Sequence, residues 1–155
     1  MTIIPVDHAS ILKAAAVHSI SWKESHRAFC APDFIEKHRP ERQRDYLQNK
    51  INGGAKVYML VDEKPLGVVS VTGSLIEDLY VLPEMRNRGY GTKLLQFAIS
   101  LCTGIPVLWI LENNKGAERL YRRMGFRETG RRNPITNELD EIELHLTRVF
   151  PQVTE

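Results

Sequence analysis

E-D-L-Y-V-L-P-E-M-R-N-R-G-Y-G-T-K-L-L-Q-F-A-I, residues Glu77–Ile99, is the stretch from which the rest of the chain can be read. Leu75 to Leu82 predict a strand and Pro83 opens a turn. Arg86-Asn87-Arg88-Gly89-Tyr90-Gly91 then leads into an amphipathic helix whose Tyr90, Leu94, Ala98 and Leu101 recur at helical spacing. The first turn of such a helix presents backbone N–H groups without internal partners and the positive end of the helix dipole, so an anion placed there is stabilised. Gly89 and Gly91 lack Cβ and let the backbone approach a ligand closely. Between Glu84 and Lys93 three basic side chains stand against one acid, a balance that suits a polyphosphate.

Upstream of this stretch, Lys56–Val61 and Pro65–Val71 are rich in β-branched and aromatic residues and are separated by Asp62-Glu63-Lys64, which predicts an antiparallel hairpin. Gly73-Ser74 turns the chain into the strand at Leu75. Earlier still, Thr2–Val6 reads as a short strand, with Asp7 as N-cap of a helix that carries Ile11, Ala15 and His18 on one face and continues or kinks near Ser21-Trp22. A second helix follows Pro32-Asp33 with Phe34 and Ile35 inward, and a third spans Glu41–Ile51 before Asn52-Gly53-Gly54 stops it. Downstream, Gly104 ends the motif helix and Pro106–Leu111 forms a strand. Asn114–Met124 is helical, with Ala117, Leu120, Tyr121 and Met124 on one stripe and Gly125 as its stop. Phe126–Gly130 and Glu141–Thr147 read as a closing strand pair. With no repeat or linker, these elements predict one α/β domain over residues 1–155, a mixed sheet flanked by helices.

Arg86-x-x-Gly89-x-Gly91, set between a strand ending Leu-Tyr-Val-x-Pro and a helix, resembles the acyl-CoA signature of the GNAT superfamily of N-acetyltransferases. A second block, Asn114-x-x-Ala117-x-x-Leu120-Tyr121-x-Arg123-x-Gly125-Phe126, follows in the family's order and extends the resemblance over roughly residues 75 to 130. The resemblance implies a mostly antiparallel central sheet whose fourth and fifth strands splay to admit a pantetheine arm, and acetyl-CoA as cosubstrate without a metal. It places Arg86, Asn87, Arg88, Gly89, Tyr90, Gly91 and Thr92 around the pyrophosphate. Backbone groups of Leu79, Tyr80 and Val81 would meet the pantetheine amides, and Asn114, Ala117 and Tyr121 would contact the cofactor from the second block.

For chemistry, the resemblance makes Tyr121 a general acid that protonates the departing CoA thiolate, although its apolar stripe equally suits a core aromatic. Asn114 serves as an N-cap in the plain reading and as a cofactor contact in the other. Glu77 is the best-placed carboxylate by sequence to take a proton from an ammonium substrate, directly or through water, with Asp78 behind it; a solvent-exposed strand end is the alternative. Strand alternation puts Glu77 on the side of Leu79 and Val81 unless a bulge intervenes. Trp22, Glu24 and His26 fall where the family builds its acceptor pocket, and Arg119 and Arg122 are candidates for a CoA phosphate.

Composition narrows the classes. The 155 residues are 43% hydrophobic and 26% charged, enough for one substantial core, and the net charge of +2 is too small to imply nucleic acid. No apolar run nears the roughly 20 residues that cross a bilayer, and Cys30 and Cys102 form no zinc or C-x-x-C spacing, so a cytoplasmic setting is expected. The expected function is acetyl transfer from acetyl-CoA to a primary amine of a small molecule by direct attack in a ternary complex, and a homodimer is compatible with it. The alternative is a CoA-binding sensor or partner-binding module without turnover. A dinucleotide-binding Rossmann domain is disfavoured because repeated βαβ units and an acidic ribose partner are missing.

Overall fold

Six consecutive residues, Leu66 to Val71, are buried, so the strand that carries them must be covered on both faces. The computed structural model describes residues 1–147 and shows what covers it. The strands are β1 (Thr2–Pro5), β2 (Lys56–Asp62), β3 (Lys64–Thr72), β4 (Leu75–Val81), β5 (Val107–Leu111), β6 (Phe126–Thr136) and β7 (Leu139–Leu146). They make one seven-stranded sheet in the order β1-β2-β3-β4-β5-β7-β6, in which every pair is antiparallel except β4–β5. The helices are α1 (Ile11–His26), α2 (Pro32–Glu36), α3 (Pro40–Asn52), α4 (Tyr90–Leu101) and α5 (Lys115–Arg123). The mixed, mostly antiparallel sheet flanked by helices is the architecture the sequence predicts. Residues 148–155 of the expected 1–155 domain lie outside the described residues.

Two side-chain positions on β3 show how the helices are layered. Gly67 faces α4 so closely that a Cβ there would stand 2.6 Å from Leu94 Cδ1, so only glycine lets this helix settle on the strand. Ser70, three residues on and therefore on the opposite face, meets Lys50 of α3 at 3.1 Å. The core fills both layers, with Ala14, Ala15 and Leu47 from α1 and α3, Leu94, Leu95 and Ala98 from α4, and Val68, Val69, Ile76 and Leu144 from the sheet.

Local expectations change at several points. Asp7 does not cap α1: its Oδ1 accepts from the N–H groups of Ala9 and Ser10, both at 3.0 Å, and so closes the preceding turn, while Ser10 occupies the N-cap position. α1 runs unbroken past Ser21-Trp22, because Ser21 is fully buried and the Trp22 ring is held between His26, at 4.0 Å, and His38, at 3.5 Å. Ile35 is buried as expected, but Phe34 is exposed and only leans on Trp22 and His38. α4 stops at Leu101, before Gly104, whose N–H donates instead to Ser74 Oγ. The closing hairpin extends well beyond Gly130, through Thr136, with register irregularities between Glu128 and Arg132 and between Pro134 and Thr136. Cys30 and Cys102 are free thiols. Among the described residues no helix is long and apolar enough to cross a membrane.

Candidate active site

The glycine motif forms a turn at the start of α4. Asn87 and Gly89 both adopt left-handed backbone, at φ 63° and 87°, and Gly89 is the N-cap residue of α4. No side chain caps this helix and no acid stands in its first turn. Its first backbone bond runs from Lys93 N–H to the Gly89 carbonyl at 3.2 Å, so the N–H groups of Tyr90, Gly91 and Thr92 have no intrahelical acceptor. This end of α4 opens on a cavity of 490 Å³ lined by Arg86, Asn87, Gly89, Gly91 and Thr92, and on the other wall by Arg119 and Arg123 of α5. Unpaired N–H groups, a positive helix end and three guanidinium groups fit a polyphosphate such as that of CoA.

Two residues of the motif and one of the candidate phosphate ligands point elsewhere. Tyr90 Oη donates to Asp62 at 2.9 Å, and neither its side chain nor that of Arg88 lines the cavity. Arg122 is held by Glu118 and Glu128, each at 2.8 Å, whereas Arg123, one residue on, takes the place by the phosphate turn. Helical geometry explains the exchange, since Arg119 and Arg123 are separated by four residues and share a face.

β4 and β5 pair only at Leu75 and Val107 and then diverge. The divergence opens a second cavity of 540 Å³ between Ile76–Val81 on one side and Leu108–Leu111 on the other. Leu79, Val81, Arg86, Ala117 and Tyr121 line both cavities, so the two meet there. Beyond Leu75 the β5-facing edge of β4 has no strand partner, which leaves its backbone groups to the cavity; Tyr80 lines the second cavity alone.

A bulge sets the direction of the side chains in this cavity wall. Ser70 pairs with Glu77 and Val68 with Tyr80, so two residues of β4 stand opposite one of β3, and Asp78 takes φ 55° to accommodate the extra residue. Neighbours on a regular strand point to opposite faces, yet Glu77 and Asp78 both reach Lys50 Nζ at 2.7 Å. Asp78, with a side chain only 8% exposed, also accepts from His18 Nε2 at 2.8 Å, from Ser70 Oγ at 2.8 Å and from Tyr46 Oη at 3.1 Å. Gln43 Nε2 donates to the other ring nitrogen of His18 at 2.8 Å, which leaves the Nε2 proton for Asp78. Burial alone would raise the Asp78 pKa, but His18 and Lys50 hold it well below the usual carboxylate range. The same carboxylate, added to burial, pushes the Tyr46 phenol up to about 12. For Lys50, burial acts downward and is outweighed by Asp78 and Glu77, which keep the ammonium charged.

Tyr121 lies where the cavities join. It is 6% exposed, packs edge-on against Phe126 at 5.9 Å and belongs to the core, so its side chain occupies both positions that the sequence leaves open. Tyr121 lines both cavities, and its Oη has no hydrogen-bond partner among the described residues. Burial pushes its phenol well above the ordinary value, so it stays protonated. Asn114 does both things expected of it, accepting from Ala117 N–H at 3.2 Å as cap of α5 and lining the second cavity. Of the first-helix candidates, Glu24 and His26 line that cavity and Trp22 does not. Glu24 is tied to Arg86 at 2.8 Å, and Glu141, which the sequence did not single out, enters from β7 with the Asn133 amide as its partner at 2.9 Å. No spacing rule brings Glu141 here, because strand order, not sequence distance, sets β7 beside β5.

Residues 49–128, just over half of the chain, match the Acetyltransferase (GNAT) domain family. The peptidyl-lysine N-acetyltransferase YjaB of Salmonella typhimurium is 31% identical over 80 residues, which cover 52% of this chain and 51% of that one. The chain spans about half the length of the curated YjaB relatives it matches. Among solved structures, PaiA N-acetyltransferase from Thermoplasma acidophilum in complex with coenzyme A superposes with a TM-score of 0.72 at 18% identity, covering 92% of this chain and 98% of that one. YncA of Salmonella typhimurium with acetyl-CoA superposes with a TM-score of 0.72 at 20% identity and 99% coverage of both chains. The glycine turn before α4 and both splayed strands lie inside the matched residues, and the chain belongs to the GNAT acetyltransferase family.

Proposed function

We propose that the chain transfers the acetyl group of acetyl-CoA to a primary amine of a small molecule, by direct attack within a ternary complex. The observation that carries this reading is the meeting of two cavities at Tyr121, one walled by the phosphate turn and the other by the splayed strands. Acetyl-CoA would supply an acetyl group already activated as a thioester. The N–H groups at the start of α4, with Arg86, Arg119 and Arg123, hold the phosphates, and the open edge of β4 at Leu79–Val81 lines up the pantetheine arm. The thioester then lies by Tyr121, and the amine enters from the cavity bounded by Glu77 and Glu141.

Glu77 is the proposed proton acceptor for the ammonium, with its charge shared by Lys50 at 2.7 Å. The neutral amine forms the new C–N bond and the C–S bond breaks; Tyr121 Oη gives its proton to the departing sulfur and is restored by the proton that the new amide nitrogen sheds. A backbone N–H on the open edge of β4 is available to the carbonyl oxygen as charge develops there. A second reading replaces the small molecule by a lysine side chain in a peptide, and the name of the YjaB relative favours it.

Acetyl-CoA at a large excess over its Kd raises the melting temperature of a protein that binds it only when folded. The expected result is such a rise, together with release of free CoA in the presence of an amine. A panel of alkyl amines and lysine peptides separates the two acceptors. No thermal shift at saturating acetyl-CoA refutes the proposal, and binding without turnover on any amine favours the sensor alternative.

A further inference from the structure

Among the described residues, Arg86 is the one charged side chain that lines both cavities. Its Nη2 donates to Glu24 Oε1 at 2.8 Å, and Glu24 projects from α1 into the second cavity only. The pair therefore joins the phosphate turn to the acceptor side of the site. Both partners are partly open to solvent, Arg86 45% and Glu24 41% exposed, so the bond between them is easily exchanged.

The other carboxylates of the cavity are engaged differently. Asp78 is sealed among His18, Lys50, Ser70 and Tyr46. Glu77 is neutralised by Lys50, whose Nζ is largely buried and has no second anion to move to beyond Asp78. Glu141 has a neutral amide, that of Asn133, as its side-chain partner among the described residues. Glu24 alone is neutralised by a group that the phosphate turn itself presents.

We infer that Glu24 is the recognition site for the ammonium of the acceptor, and that Arg86 masks it until phosphate draws the guanidinium away. This rests on the proposed acetyl-CoA reading and extends it to the acceptor class, a cationic alkylamine. A pyrophosphate at the α4 terminus carries more charge than one carboxylate and offers Arg86 a bidentate partner. Arg86 leaves Glu24 or shares it weakly, and the Glu24 carboxylate becomes an unpaired anion facing the amine cavity. Acetyl-CoA and the ammonium then strengthen each other's binding, by equal factors. The acetyl donor consequently selects for a positively charged acceptor without touching it.

Glu24→Gln separates this from a structural role, because the inference demands opposite changes in the two substrates. Without the carboxylate, Arg86 is free for phosphate, so acetyl-CoA titrated calorimetrically in the absence of any amine should bind roughly two- to fivefold more tightly, the range of an exposed ion pair. KM for an alkylammonium acceptor should rise, by roughly tenfold, with kcat changed little. In an Arg86→Gln background, the same Glu24→Gln substitution should no longer tighten acetyl-CoA binding. Unchanged or weaker acetyl-CoA binding by Glu24→Gln overturns the inference, as does tightening that persists without Arg86, which would report only charge repulsion through space. Wild-type protein that binds no acetyl-CoA refutes the proposed function itself, whereas wild-type binding with no effect of Glu24 removes this inference alone.

Discussion

Asp78→Asn tests the network behind the cavity wall with a change of one atom. Asparagine tolerates the left-handed backbone as well as aspartate does, so the φ of 55° adds no new strain. The carboxylate accepts from His18, Lys50, Ser70 and Tyr46 within 3.1 Å. An asparagine keeps one acceptor oxygen and sets an NH₂ group against donors, leaving Lys50 with Glu77 as its only anion. Breaking a buried charge pair on one side costs about 3–5 kcal/mol. At roughly 2–4 °C per kcal/mol for a chain of this size, the melting temperature should fall by about 6–20 °C, and at typical stabilities the protein still folds. The sign with pH follows from the depressed Asp78 pKa. The unfolded chain takes up the proton first, so this stabilisation is complete above the ordinary carboxylate pKa of ~4 and is lost as pH falls further. Thermal melts from pH 7 to pH 3 should show wild type losing its advantage over Asp78→Asn below about pH 4. A shift under ~2 °C at neutral pH, or parallel acid profiles, would refute the reasoning.

Tyr121→Phe should cost at most about 1 kcal/mol of stability, since the hydroxyl gives up no protein partner, and should lower turnover by roughly 10²-fold with acetyl-CoA affinity nearly constant. Wild-type turnover with chemistry rate-limiting would remove the general-acid role. Gly89→Val should weaken acetyl-CoA binding, but not by collision with the protein, because no atom lies within 4 Å of the added Cβ. The cause is φ at 87°, which costs an L-residue roughly 1–2 kcal/mol or more if β-branched, so the turn leaves its phosphate-binding shape. Loss of at least about tenfold in affinity, with a melting temperature lower by only a few degrees, is expected in calorimetry and thermal melts; equal loss of both would mark a structural glycine.

How much of this was legible in advance depended on whether the information is local. Gly89 and Gly91, the helix spacing after them and the stripe through Ala117, Leu120 and Tyr121 are local patterns, and the elements appear where those patterns put them. The left-handed turn before α4 was legible for the same reason. Arg123 was not preferred over Arg122, because both lie near the same helix end and only the acids opposite them, Glu118 and Glu128, decide which is taken up by an ion pair. Phe34 was misplaced because a helix of five residues is too short for periodicity to define an inner face. Glu141 and the Gln43–His18–Asp78–Lys50 network depend on contacts across the sheet and between layers, which no spacing in the chain encodes.

The bulge at Asp78 is where these two kinds of information meet. A regular strand would send Glu77 and Asp78 to opposite faces, and then one acid would point away from the layer that holds Lys50. With the extra residue, both acids converge on one ammonium, and β4 leaves its register with β3 a few residues after it leaves β5. Left-handed backbone at a non-glycine residue is unfavourable by roughly 1–3 kcal/mol. The donors from His18, Ser70 and Tyr46 and the Lys50 ammonium around a buried carboxylate exceed that cost, since a hydrogen bond to a charged group contributes about 1.5–3 kcal/mol. The strain is therefore held by His18, Tyr46, Lys50 and Ser70, side chains from α1, α3 and β3 that do not line the cavity. Loosening Asp78 should disturb the direction of Glu77 and the open edge at Leu79 together, so a variant such as Asp78→Asn is expected to lose turnover even in the fraction that remains folded.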